Sequence, residues 1–446
     1  GANTAVGMNA GRLATTGTGN VFMGYNAAYN ITDTVDNVII GKQAGEDNNE
    51  NYNVFIGSEA ALNATNVASS VIIGRQAAGA AATAGNNNVT LGYQAAHFPT
   101  GSNNVWVGYK AGYGASATNA YSNTAVGYEA LMAVTTGYEN IAIGRAAATN
   151  VTTANRNIFI GRSAGSAVTT SSEFNIIIGS GSVSANDIGN GNIVMGGGAN
   201  VKAALAETVI VGQGAGAGVS GNNVTAVGYQ AAKATNTGIE LTAIGHGALQ
   251  EVTGSWNTAI GKGVMADGAG SGAYNTGVGT RALQAITNGN SNTAVGKSAL
   301  QLITTESENA AFGMQAGYFI DANYNTLIGS RAGEKADGGE GYNTIVGAWA
   351  GRGDGEAPFD GDYNTIIGSH AMGTNALGTA RYNTVLGFKA GYALTTGDSN
   401  VFIGYQAGNN TSHDTESNKL VIANSATTTP LIGGDFSTPQ IDLNGT

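Results

Sequence analysis

One hydrophobic phrase recurs along the chain, and Asn123-Thr124-Ala125-Val126-Gly127-Tyr128-Glu129-Ala130-Leu131 is a fair copy of it. Counted from its glycine, position −1 is aliphatic in 23 of 24 copies, Phe312 being the exception, and position −3 is Val, Ile or Thr in all but Ala310. This is β-branched, period-2 strand chemistry. Position −2 is apolar in 22 of 24 copies, Phe22, Phe55, Trp106, Phe159, Leu327 and Phe402 among them, with Thr90 and Gly277 departing. A strand apolar on both faces is expected to be buried on both faces.

The marker glycines run from Gly7 to Gly404 at a mean spacing of roughly 17 residues. Fixed-period self-similarity predicts a stack of small units in which each contacts only its neighbours. Position 0 is Gly, as a sharp corner or positive φ requires. Position +3 is Ala in 22 of 24 copies, a column of small side chains that allows close backbone approach. Position −4 is Asn in 20 of 24, and stacked Asn can hydrogen-bond from coil to coil. Seven to twelve residues rich in Thr, Gly, Asn, Ser and Asp separate the phrases and read as turns. The expected fold is all-β: a parallel β-solenoid or β-roll of about 24 coils over residues 1–408. Residues 409–446 then form a C-terminal cap or transition segment, with Asn418 to Ala423 as a last degenerate coil and Phe436, Ile441 and Leu443 closing the open end.

So short a coil encloses one face of its strand. The other needs a cover, and no further segment of the chain repeats often enough to supply it. Sister chains are the simplest cover, so a homotrimer, intertwined or side by side, is expected. On that argument Phe22, Phe55 and Trp106 would not pack wholly inside one chain's own winding. At ~4.8 Å per stacked strand the array is a rod on the order of 110 Å long.

Composition sharpens this. The chain has 71 Gly, 4 Pro, no Cys and 11% charged residues, with a net charge of −11. The acidic balance argues against nucleic acid and anionic membranes as partners, and the missing cysteines remove thiol and disulfide chemistry. No apolar run approaches the ~18 residues of a membrane helix. The start at Gly1 leads us to expect a processed product or a fragment.

Asn-Ser/Thr-x-Ile/Val-Gly followed by a small residue resembles the head repeats of trimeric autotransporter adhesins, which are left-handed parallel β-rolls with three chains per rod. Ile178-Gly179-Ser180-Gly181-Ser182-Val183-Ser184 and Val194-Met195-Gly196-Gly197-Gly198-Ala199 come nearest. The longer phrase Asn-Thr-Ala-Val-Gly-Tyr-Gln-Ala looks more like repeat arrays of bacteriophage tail-fibre proteins. Ser417 to Ser425 and Thr428 to Thr438 are similar to the segment preceding the self-cleaving intramolecular chaperone of phage tail spikes and fibres. The resemblance implies the shaft of a trimeric tail fibre in the virion tail, extracellular, attaching to a host cell surface. Its partners would be other copies of itself, other virion proteins and a host glycan or protein receptor. A chain ending at Thr446 would be the product of chaperone cleavage. A trimeric surface adhesin of a bacterium and a polysaccharide-degrading tail spike are the alternatives.

Candidate chemistry is sparse. Asp354, Glu356, Asp360 and Asp362 alternate in a long loop and could hold Ca²⁺, although they lack a known calcium-loop spacing. A solvated loop is the plainer reading. Tyr25, Tyr93, Tyr109 and Tyr128 stand at +1, where an aromatic row can meet sugar rings or pack along the rod. Ten of the 18 basic residues lie at +1 or +2. Gly161-Arg162-Ser163-Ala164-Gly165 matches a nucleophile elbow only by falling on repeat positions with no helix after it. His97, His246, His370 and His413 have no metal-ligand spacing. No catalytic set, metal site or required cofactor is expected, nor the regular Thr array of an ice- or mineral-binding face.

Overall fold

The computed structural model describes residues 2–80, 85–98, 100–114, 119–170, 172–183, 188–199, 205, 207–233, 238–336, 339–353, 359–373, 379–410 and 413–444. Among them there is no helix, and every repeat contributes one short strand ending just before its marker glycine. The chain forms two compact units, Gly1–Asn223 and Val224–Thr446. The first carries thirteen such strands, Thr4–Val6 to Val209–Val211, and the second eleven, Val224–Val227 to Val401–Ile403. Within each unit successive strands pair in parallel with phrase positions aligned, as in Thr124↔Ile141 and Ala125↔Ala142. The protein is a parallel β-solenoid.

Three columns hold the coils in register. The first is asparagine. Asn140 donates its backbone N–H to Asn123 Oδ1 at 3.0 Å and its Nδ2–H to the same oxygen at 3.1 Å. Nδ2 also donates to the Ala154 carbonyl, one coil on, at 2.8 Å. Asn157 repeats the pattern upon Asn140. The side chains are fully buried, so each amide must find its partners inside the stack.

The second column is glycine. Gly127 has φ +139°, and a Cβ there would lie 2.5 Å from the carbonyl oxygen of Gly144. A side chain is excluded by both backbone angle and space.

The third is a fit between positions −2 and +4 that periodicity alone does not disclose. Trp106 at −2 lies against Gly112 at +4, where a Cβ would be 2.1 Å from the indole. Phe159 and Gly165 repeat this at 2.2 Å. Where −2 is Ala125 or Ala243, +4 is the fully buried Leu131 or Leu249. Large and small exchange places to keep interior volume nearly constant, as close packing demands.

The sides of the strand are the reverse of the sequence expectation. Position −2 points into the coil: Phe22, Phe55, Trp106, Phe159 and Phe402 are at most 1% exposed within one chain's own winding. They therefore supply no reason for a second chain. The coil closes over −2 together with buried residues at −4, +3 and, where not glycine, +4, exemplified by Asn123, Ala130 and Leu131. What remains outside is −3 and −1, half-buried as in Val38 and Ile40 or more open as in Met23, Ile143 and Leu386, the last 45% exposed. In the first unit the −3 column is Val or Ile at all but Thr4 and Thr124. In the second it is Thr at all but Ala310 and Val401.

At the C-terminus, Lys419–Ile422 pairs in parallel with Val401–Ile403 as the expected last coil. Ile432–Asp435 and Gln440–Leu443 then continue the sheet as antiparallel strands. Phe436, Ile441 and Leu443 do not close the end, since they are 52%, 69% and 74% exposed. Two residues after an antiparallel turn cannot reach back over a coil whose interior is already filled by Val421 and Phe402.

Candidate functional site

Alternation continues beyond the strand. Residues at −5, −3, −1 and +1 face outward while Asn at −4 and the −2 side chain face inward, as in Glu139, Ile141, Ile143 and Arg145 against Asn140 and Ala142. Each coil thus presents an outward band four residues wide, aliphatic in the middle and polar or aromatic at both rims.

The expected tyrosines lie on the +1 rim. Tyr93 and Tyr109 stack with centroids 5.5 Å apart, and Tyr109 and Tyr128 at 4.9 Å with planes 7° apart. Arg75 lies over Tyr93 at 5.9 Å and Arg145 over Tyr128 at 5.7 Å, so a guanidinium closes each end. The ring faces are occupied by one another and by arginine. What this column offers a ligand is ring edges and phenol hydroxyls. Tyr25, 44% exposed, stands apart between Met8 and Lys42 of its column.

A longer aromatic column lies on the −5 rim and was legible only as the recurring Tyr-Asn-Thr. Tyr324, Tyr342, Tyr363 and Tyr382 stack at 4.6, 5.1 and 5.2 Å. All four have φ between 56° and 60°, a left-handed backbone that a bulky residue adopts at some cost. Trp256 and Tyr274 repeat the arrangement at 4.9 Å. The Tyr363 hydroxyl bonds the Glu340 carboxylate, which pushes its pKa up to about 12.

In the long loop, Asp354 and Glu356 lie outside the described residues. Asp362 is 2% exposed, accepts the Gly341 N–H at 2.9 Å and meets Arg381 Nε at 3.2 Å. It holds a place in the −6 column taken elsewhere by Asn323, which accepts from Ser307 N–H. Burial, then the neighbouring Asp362 charge, raise the Asp360 carboxyl above its ordinary pKa. No group of three or more potential metal ligands occurs among the described residues. Ser163 of the elbow-like pattern lies in the stack, donating its N–H to the Arg145 carbonyl at 2.9 Å.

The basic residues near +1 lie over aromatic rings more than beside acids. At +2, Lys110 lies 5.5 Å from the Tyr109 ring centroid and Arg331 4.6 Å from that of Trp349, with Glu334 3.8 Å from Arg331. The threonines at −3 of the second unit do form a regular outward column, Thr258, Thr276 and Thr293 being paired strand to strand. No helix among the described residues is long and apolar enough to cross a membrane. Comparison with family models, curated proteins and solved structures gives no match.

Proposed function

We propose that this chain is a structural and adhesive fibre, the shaft of a trimeric phage tail fibre that mediates attachment to a host cell surface. The observation that carries the reading is the outward aliphatic pair at −3 and −1, present on eleven of the thirteen strands of the first unit, with Thr4 and Thr124 departing at −3. A contiguous apolar stripe of this length is a surface that other chains cover. The one-strand-per-coil design adds length without adding a cavity, which suits a spacer. In this reading the partners are two further copies, other virion proteins and a surface receptor, the setting is extracellular, and no reaction is catalysed. A trimeric adhesin anchored on a bacterial surface uses the same physics. A tail spike would have to degrade polysaccharide.

The test is labelled protein applied to bacterial cells and to their purified surface polysaccharides, with light scattering of the same sample. Saturable cell binding by a species of three chains supports the reading. A single-chain species, or one that depolymerises the polysaccharide, overturns it. The threonine column of the second unit favours a second reading, an ice-binding face; thermal hysteresis in dilute solution supports it, and freezing indistinguishable from buffer removes it.

A further inference from the structure

The two rims of the outward band carry opposite charge. At +1 the ionised residues are Lys42, Arg75, Arg145, Arg162, Lys262 and Lys297, with no acid among 24 copies. At −5 they are Asp36, Glu139, Glu207, Glu240 and Glu308, with Arg156 the one base. All twelve are exposed. Arg156 is held by Glu139 at 3.0 Å; the other rim charges are in no ion pair among the described residues. An apolar centre with a charged margin has the anatomy of a protein interface, and opposite signs on its two margins set which margins can meet.

We infer that the outward band joins neighbouring copies of this chain head to tail, the acidic rim of one against the basic rim of the next. This rests on the multi-chain fibre reading and specifies its geometry. A two-fold pairing of antiparallel bands would set each rim against its own kind, acid on acid and base on base. A parallel ring lets every acidic rim meet a basic one, and a ring closes only if no copy is displaced along the axis. Coils then face their equivalents: Asp36 of one copy meets Lys42 of the next and Glu139 meets Arg145, while Arg156, already held by Glu139, meets Arg162 as the one like pair. These rim pairs set register and orientation more than affinity.

The chain has no cysteine, so thiols can be placed at will. Asp36→Cys with Lys42→Cys puts one thiol on each rim. Within a chain they are six residues apart along extended backbone, ~20 Å, beyond the reach of a short bismaleimide. The full chain carrying both is treated with that reagent, run on a denaturing gel, and compared with each single variant and with the Glu139→Cys, Arg145→Cys pair. Unmodified protein is weighed by light scattering, and circular dichroism confirms that the variants keep the fold. The expected result is a multimer whose double variants, at either pair, are covalently joined into rings of that size, while single variants stay single chains. A multimer in which Asp36→Cys alone links to itself overturns the head-to-tail arrangement but leaves the fibre reading. A multimer in which neither pair links overturns it too. A single-chain parent overturns both.

Discussion

Removing one amide from the asparagine column should cost far more than removing an ordinary surface hydrogen bond. Asn140→Ala deletes an Oδ1 that accepts from Asn157 N–H at 3.1 Å and an Nδ2 that donates to Ala154 O at 2.8 Å. Asn123 Oδ1 keeps the Asn140 backbone N–H, and Asn157 Nδ2 keeps the carbonyls of Asn155 and Ser172. Two backbone groups therefore lose their side-chain partner, and Asn140 and Asn157 are both 0% exposed. At about 1–2 kcal/mol for each buried polar group left unsatisfied, the loss is about 2–4 kcal/mol. Thr135→Ala is the control: it removes a 3.0 Å bond to Thr152 O at a half-buried site, worth about 0.5–1 kcal/mol. Because stability in such an array is local to neighbouring coils, the assay is hydrogen exchange resolved along the chain. Asn140→Ala should speed exchange of amides in residues 123–157 by about 30- to 1,000-fold, leaving remote coils of the first unit unchanged. Equal effects from the two substitutions would refute the view that the column holds the coils together.

Gly112→Ala should destabilise by roughly 3 kcal/mol or more, through overpacking against Trp106; Trp106→Leu should recover part of that in a double-mutant cycle, and additive losses would contradict the −2/+4 fit. Spectrophotometric titration should show one phenol ionising near pH 12 that Tyr363→Phe removes and Glu340→Gln returns towards the ordinary range; an unchanged curve in Glu340→Gln contradicts the contact. Hydrogen bonds from Ser437 and Lys419 hold the Asp435 carboxyl well below its ordinary 3.8, while its bond to Asp435 raises Lys419 above 10.5. The depressed acid stabilises above 3.8 and loses this as pH falls, whereas the raised amine stabilises below 10.5 and loses it as pH climbs. Protection of Gln440–Leu443 amides, corrected for intrinsic exchange, should therefore be greatest between those limits, and Asp435→Asn should flatten the profile.

Much of the fold was open to reading because repetition multiplies weak signals. A lone Val-Trp-Val before glycine could be many things, whereas 24 aligned copies fix strand, corner and period together. The asparagine column was legible for the same reason. The side of the strand facing inward was not. With Phe, Ile or Ala at −2 and Val or Ile on both flanks, hydrophobicity is nearly equal on the two faces, and only volume distinguishes them. The partner signal was the +4 residue, Gly112 beside Trp106 and Leu131 beside Ala125, visible only when two columns are compared. The −5 aromatic column escaped notice because Tyr324, Tyr342, Tyr363 and Tyr382 sit just before the phrase, in a segment that otherwise reads as turn. In the acidic loop, the alternation of acids says nothing about burial. Asp362 is enclosed and already engaged by Gly341 and Arg381.

One chain buries its −2 column unaided, and on the fibre reading other copies cover the −3 and −1 column. Sedimentation equilibrium of the unmodified chain and of an Ile143→Asp, Ile160→Asp variant tests this directly, since both residues lie at −1. The parent is expected at three times the 44.5 kDa chain mass, and the variant as a single chain with its β spectrum intact. A parent that sediments as one chain, or a variant that remains assembled, contradicts it.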